Sequence, residues 1–202
     1  MILNLALLVI LLVVAVAVAR GGLFQAMGLF FAVLLAASLA SAWYEPLVAY
    51  LEKPLEPYKY FLDVGALWLL FGALLAVLGA LVHQLTKQKV SFHKHVELAG
   101  SIVVGLMAAW TVVEFAAFTL HTAPLRADVI PTKQGESLLF GLKPDRCWLW
   151  WMRGSTRNGP FAITGQPFDP DGDFVERHAM RRERLSGGPP AQEPPAENPP
   201  AN

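Results

Sequence analysis

Charge is scarce in this chain, and cysteine is nearly absent. Only 16% of the 202 residues are charged, against about 25% in an ordinary soluble domain. The 16 basic and 16 acidic residues cancel, so there is no basic excess to meet nucleic acid. A single cysteine, Cys147, excludes an internal disulfide framework and a cysteine-based zinc site. The sequence contains no HExxH, no GxSxG and no phosphate-binding GxxxxGK[ST]. No cofactor motif is present. What the chain has in excess is apolar residues, 54% of the total, concentrated in the first 120 positions.

Four runs stand out. Ile2–Ala19 and Gly21–Tyr44 carry no charge, nor does Val64–Val82, and Leu98–Leu120 carries one, Glu114. A helix needs roughly 20 apolar residues to cross about 30 Å of hydrocarbon. The spacing predicts transmembrane helices at about 2–19, 23–44, 62–82 and 98–120. Ala17-Val18-Ala19 before Arg20 is also compatible with signal-peptide cleavage, but the start has no positive side chain and the apolar run is long, so a retained helix is expected. Arg20-Gly21-Gly22 permits a tight reversal, predicting a hairpin of helices 1 and 2. The next connection, 45–60, holds Pro46, Pro54 and Pro57, which should end the helix, beside Trp43 and four tyrosines suited to the headgroup zone.

After residue 122 the character changes. Residues 123–185 read as a polar, largely irregular tail, with an aromatic segment at 147–152 and a short charged helix at 173–185. The aromatic segment is too short to span and reads as a surface anchor or the core of a small tail structure. Residues 186–202 repeat Pro-Pro-Ala with no larger apolar residue and should be disordered.

Inside lipid, helices associate through close packing at small residues. Candidates for such contacts are Gly28, Ala32 and Ala36 in helix 2, Gly65, Gly72 and Gly79 in helix 3, and Gly100 and Gly105 in helix 4. Glu114 is the one intramembrane carboxylate, costly in lipid and hence a candidate functional position. Its alternative reading is a tolerated acid that reaches the headgroups. Gly100, Met107, Glu114 and His121 recur at intervals of seven, which would turn Glu114 toward the bundle. His93-x-His95-x-Glu97 has alternating ligand types, as an extended metal-binding segment would, but it lacks a third fixed ligand and reads as solvated loop. Asp169-Pro170-Asp171-Gly172-Asp173 lacks the glycine and glutamate of a calcium loop, since Phe174 and Met180 occupy those places. It reads as a turn before a helix. Cys147 has no adjacent base.

The arrangement resembles the colicin V production protein (CvpA) family of bacterial inner-membrane proteins over about residues 1–122. The first helix runs into Arg20-Gly21, and a polar residue, Gln25, opens the second where the family has a glutamate. The last helix carries Gly100 and Gly105 five apart, where the family has glycines four apart. The tail after Pro124 falls outside the family pattern. The resemblance implies an integral membrane protein connected with toxin production or export and envelope homeostasis.

The sequence therefore predicts an all-α, integral membrane four-helix bundle without catalytic, cofactor or metal residues. Its expected partners are the lipid bilayer and other membrane or envelope proteins, with a homo-oligomer compatible and nucleic acid excluded. The alternative is a small transporter or channel subunit using Glu114.

Overall fold

A computed structural model describes residues 2–52, 59–86, 93–123, 139–157 and 168–185. They form α1 (Ile2–Ala19), α2 (Leu23–Leu51), α3 (Lys59–Leu85) and α4 (Lys94–Thr122). A single 3-10 turn at Leu139–Gly141 follows, then α5 (Pro144–Arg157) and α6 (Phe174–Leu185). The described residues contain no strand. The Pro-rich segment 186–202 lies outside them.

α2, residues 61–85 of α3, and α4 are each long and apolar enough to cross a membrane. α1 is shorter at 18 residues, or about 27 Å. The exterior departs from that of a soluble protein. Leu5, Val9, Leu12 and Val13 of α1, Leu69 and Val77 of α3, and Leu98 and Val103 of α4 point outward. Ser38, Ser41, Thr111, Thr119 and His121 point inward. An apolar exterior of this extent on four neighbouring helices is what lipid covers. The chain is a helical membrane protein.

The helices run past their apolar stretches, because polar residues continue a helix readily once outside hydrocarbon. α2 also passes through Pro46, contrary to the sequence expectation. A proline within a helix loses one backbone hydrogen bond and strains the preceding turn. Here the extension is held by side chains: Tyr44 and Val48 belong to the main core, and the Glu52 N–H still bonds the Val48 carbonyl at 2.8 Å. The first part of the connection expected at 45–60 is therefore helix, and residues 53–58 lie outside the described set.

α4 is the central element. It packs against both α1 and α2, while α3 lies chiefly on α2. The tight reversal occurs at Arg20–Gly22, where Gly22 takes φ 83°, a left-handed value that disfavours any side chain. Yet α1 and α2 barely touch, and each packs mainly on another helix. The expected hairpin is a chain connection rather than a packing unit.

The small residues divide. Ala32 and Ala36 are buried. A Cβ on Gly28 would stand 2.7 Å from the Val82 side chain of α3, and one on Gly100 would stand 2.9 Å from Leu23 of α2. On Gly105 it would stand 2.8 Å from the Ala15 carbonyl oxygen of α1. Gly65, Gly72 and Gly79, by contrast, have open space on every side a Cβ would take. Among the described residues, a side chain added on the α3 stripe would meet no neighbour. The physical reason is that α3 enters the core through a different face, that of Leu62, Ala66, Leu67 and Phe71.

Candidate functional site

The tail contributes more than an irregular extension. Pro144 sits at the first helical position, where its missing N–H is harmless, and Asp145 follows in the first turn. From there the aromatic segment winds into α5. Trp148, Leu149, Met152 and Thr156 fall on one face and are buried. Cys147, Trp150 and Trp151 fall beside it and stay accessible.

Polar side chains from the bundle hold this helix in place. The Trp148 indole N–H donates to Ser41 Oγ, and that of Trp151 to Ser38 Oγ, both at 3.1 Å. Ser38 and Ser41 are buried on α2. Asp145 Oδ2 lies 3.0 Å from His121 Nε2 at the end of α4, with both residues buried. Phe115 of α4 meets Trp148 edge-on, with ring centroids 5.9 Å apart, and meets Phe71 of α3 at 4.7 Å. One aromatic core thus joins α3 and α4 to the tail. The 3-10 turn before α5 is tied to the other side of the bundle, where the Leu139 N–H donates to Asn4 Oδ1 of α1 at 3.1 Å.

α6 is attached in turn to α5. Buried Asp169, at φ 49°, accepts from Arg153 Nη2 at 2.7 Å and Nε at 3.1 Å, and from the Phe174 N–H at 2.9 Å. Gly172, at φ 77°, completes the turn. Phe174 then stacks on Phe118 of α4, with centroids 4.9 Å apart. The Asp-rich segment is a turn that starts a helix and clamps it. Arg177 loses some solvation, but the hydrogen bond it donates to Asp173 and the carboxylate charges of Asp173, Asp169 and Glu45 outweigh that and raise its pKa.

Docking α5 across α2 and α4 leaves a groove of about 620 Å³. Phe30 and Leu34 of α2 form its apolar wall. Thr111 and Glu114 of α4 form its floor, and Glu114 is only half-buried. Lys143, Arg146, Cys147 and the α5 tryptophans form the remaining wall. Glu114 therefore faces a cavity rather than a helix interface. The interval-of-seven stripe does not share one environment: Met107 is exposed and His121 is fully buried. The Cys147 thiol is pushed up from its ordinary value by burial, and further by the charges of Glu114 and Asp145. A thiol so shifted is protonated near neutral pH and is a poor nucleophile.

His93 precedes α4, and His95 and Glu97 lie in its first turn. Two residues apart on a helix point about 200° apart, so the alternation that suits an extended ligand string here separates the side chains. His93 and His95 rings are 5.9 Å apart. Among the described residues, no three His, Cys, Asp or Glu side chains converge on a metal position.

Sequence reasoning missed Ser38, Ser41, His121 and Asp145 as a set. A hydroxyl in an apolar run gives no hint of a partner about a hundred residues away, nor an imidazole of one 24 residues on. Pro144-Asp145 was the available signal for the start of α5.

No curated protein and no solved structure matches the chain. The family model for colicin V production protein matches residues 3–145. The match takes in all four long helices and continues to the first turn of α5, so the family pattern extends beyond Pro124, further than the sequence resemblance placed it. With its four-helix membrane bundle and a match over most of its length, the chain belongs to the colicin V production protein family.

Proposed function

We propose that this protein is a non-catalytic accessory or scaffold factor of a bacterial inner membrane, serving production or export of colicin V-type toxins and envelope homeostasis. The observation that carries the reading is the use made of polar groups inside the bundle. Ser38, Ser41 and His121 each bind a residue of α5. They fasten a tail helix to the membrane domain at one end, and α6 is fastened to that helix by Asp169. Such a platform presents α5 and α6 to other membrane or envelope proteins. The raised pKa of Cys147 argues in the same direction, since burial and the nearby carboxylates disfavour the thiolate a nucleophile needs.

The test is complementation of a deletion strain, reading toxin export and envelope integrity. Variants that release α5, such as Trp148→Ala, should lose function at normal membrane levels. Full function with α5 released would contradict the scaffold reading.

A second reading is favoured by one observation, the exposure of Glu114 to the groove. On that reading the protein is a small transporter or channel subunit, and the carboxylate binds the moving cation. Glu114→Gln and solute flux in liposomes separate the two.

A further inference from the structure

Acidic and basic side chains share the groove without pairing with one another, although Glu114 accepts a hydrogen bond from Trp110. Among the described residues, Glu114 forms no ion pair with Lys143 or Arg146. The nearest carboxylate to Arg146 is Asp145, at 3.8 Å, and that oxygen already bonds His121 at 3.0 Å. Lys143 is exposed. The cavity between them, about 620 Å³, is within the size range of ligand sites. It therefore offers a carboxyl floor, a basic rim and an apolar wall in one space.

Its depth is set by the helices. Glu114 lies eight residues before the end of α4, about 12 Å along the axis. Lys143 just precedes α5 and Arg146 lies in its first turn, beside the end of α4 where Asp145 meets His121. Trp150, 76% exposed, and Trp151 flank the opening, as indoles do where headgroups meet hydrocarbon. The groove thus opens at the lipid–water boundary, the place of a lipid headgroup and its upper chain.

Charge complementarity selects the lipid. Lys143 and Arg146 call for a phosphate. The Glu114 carboxyl calls for a cation that also donates hydrogen bonds. Phe30, Leu34 and the indole faces call for an acyl chain and favour a cation beside them. An anionic lipid without an amine meets the rim but offers the floor no cation. A choline headgroup has the charge but no N–H to donate. A soluble zwitterion leaves the apolar wall wet. We infer that this groove binds one zwitterionic phospholipid with a primary amine, of the phosphoethanolamine type, its phosphate against Lys143 and Arg146 and its ammonium on Glu114. The inference does not depend on the toxin-related role, which the lipid assay does not read.

The experiment uses the full chain reconstituted in vesicles of equimolar phosphatidylcholine, phosphatidylethanolamine and phosphatidylglycerol. The protein is extracted mildly, and the lipid retained on it is identified by mass spectrometry. Phosphatidylethanolamine should be enriched about tenfold over phosphatidylcholine, the factor one charge-assisted hydrogen bond supplies. Glu114→Gln should bring the ratio to near unity. Lys143→Ala with Arg146→Ala should lower retention of every phospholipid. Cys147, which lines the groove, gives a second readout on the unmodified chain. Its labelling by a maleimide at pH 7 should be slower in phosphatidylethanolamine-rich vesicles than in phosphatidylcholine alone. Equal retention of all three lipids overturns the inference, as does preference for phosphatidylglycerol. Phosphatidylethanolamine enrichment that survives both sets of substitutions also overturns it, because the lipid would then sit elsewhere.

Discussion

Adding one methyl group at Gly105 should loosen the contact between α1 and α4. The new Cβ would stand 2.8 Å from the Ala15 carbonyl oxygen and 3.3 Å from the Ala19 Cβ and backbone nitrogen. The oxygen belongs to a helix backbone and cannot rotate aside. α1 must retreat by roughly 0.6 Å to restore an ordinary contact, and a gap of that size forfeits a quarter or more of the dispersion attraction across the seam. In lipid that attraction is the main force between helices, because burying apolar surface gains little there. Overpacking of this kind costs about 1–3 kcal/mol, offset by up to about 1 kcal/mol from the better helix propensity of alanine. Gly72→Ala is the matched control, since a Cβ at Gly72 meets nothing within 4 Å. It should be neutral or slightly stabilising. The assay is equilibrium unfolding of the purified protein in mixed micelles, followed by tryptophan fluorescence. Equal stability of Gly105→Ala and Gly72→Ala would refute the claim that α1 and α4 meet at this glycine.

Three further outcomes follow from the same geometry. Trp148→Ala removes a fully buried indole, its bond to Ser41 and its contact with Phe115; a loss of about 3–5 kcal/mol is expected, read as earlier unfolding and proteolytic release of α5. Asp169→Ala removes the acceptor for Arg153 and for the Phe174 N–H, and should cost roughly 1.5–3 kcal/mol, at the low end because both arginines nearby are partly solvated; trypsin should then cut faster at Arg177. Alkylation of Cys147 should rise with pH through a midpoint above that of an ordinary thiol, and Glu114→Gln should lower that midpoint, because removing a negative neighbour favours the thiolate; an unchanged midpoint would show that the two groups do not interact.

The four long helices were legible because a charge-free run of this length has few other uses. Which face of each helix meets which neighbour was not. The α3 glycines show why. Their spacing places them on one stripe, but in a membrane helix the lipid-facing and packed faces are both apolar, so periodicity marks a face without naming its partner. Gly105 and Gly72 are indistinguishable in sequence, yet one lies against a backbone carbonyl and the other against open space. Pro46 was misread for a related reason: its cost is local and visible, whereas the burial of Tyr44 and Val48 that offsets it is tertiary. Glu114 could be singled out as costly, but its setting could not be seen, because the groove is closed by α5 and the Lys143 and Arg146 rim is about thirty residues further on. The reading of α5 itself stopped at its aromatic content. Its partners Ser38, Ser41 and His121 lie on two other helices, and only the fold brings them together.

The central claim is that polar residues in this membrane domain fasten a scaffold rather than carry a transported ion. The most direct test expresses Glu114→Gln, Glu114→Leu and Trp148→Ala in a deletion strain, with membrane levels matched by blot and export of a colicin V-type toxin as the readout. The scaffold account predicts near-normal export with both Glu114 variants and loss with Trp148→Ala. Loss of export with both Glu114 variants at normal levels, together with retained export by Trp148→Ala, would contradict it and favour the transporter.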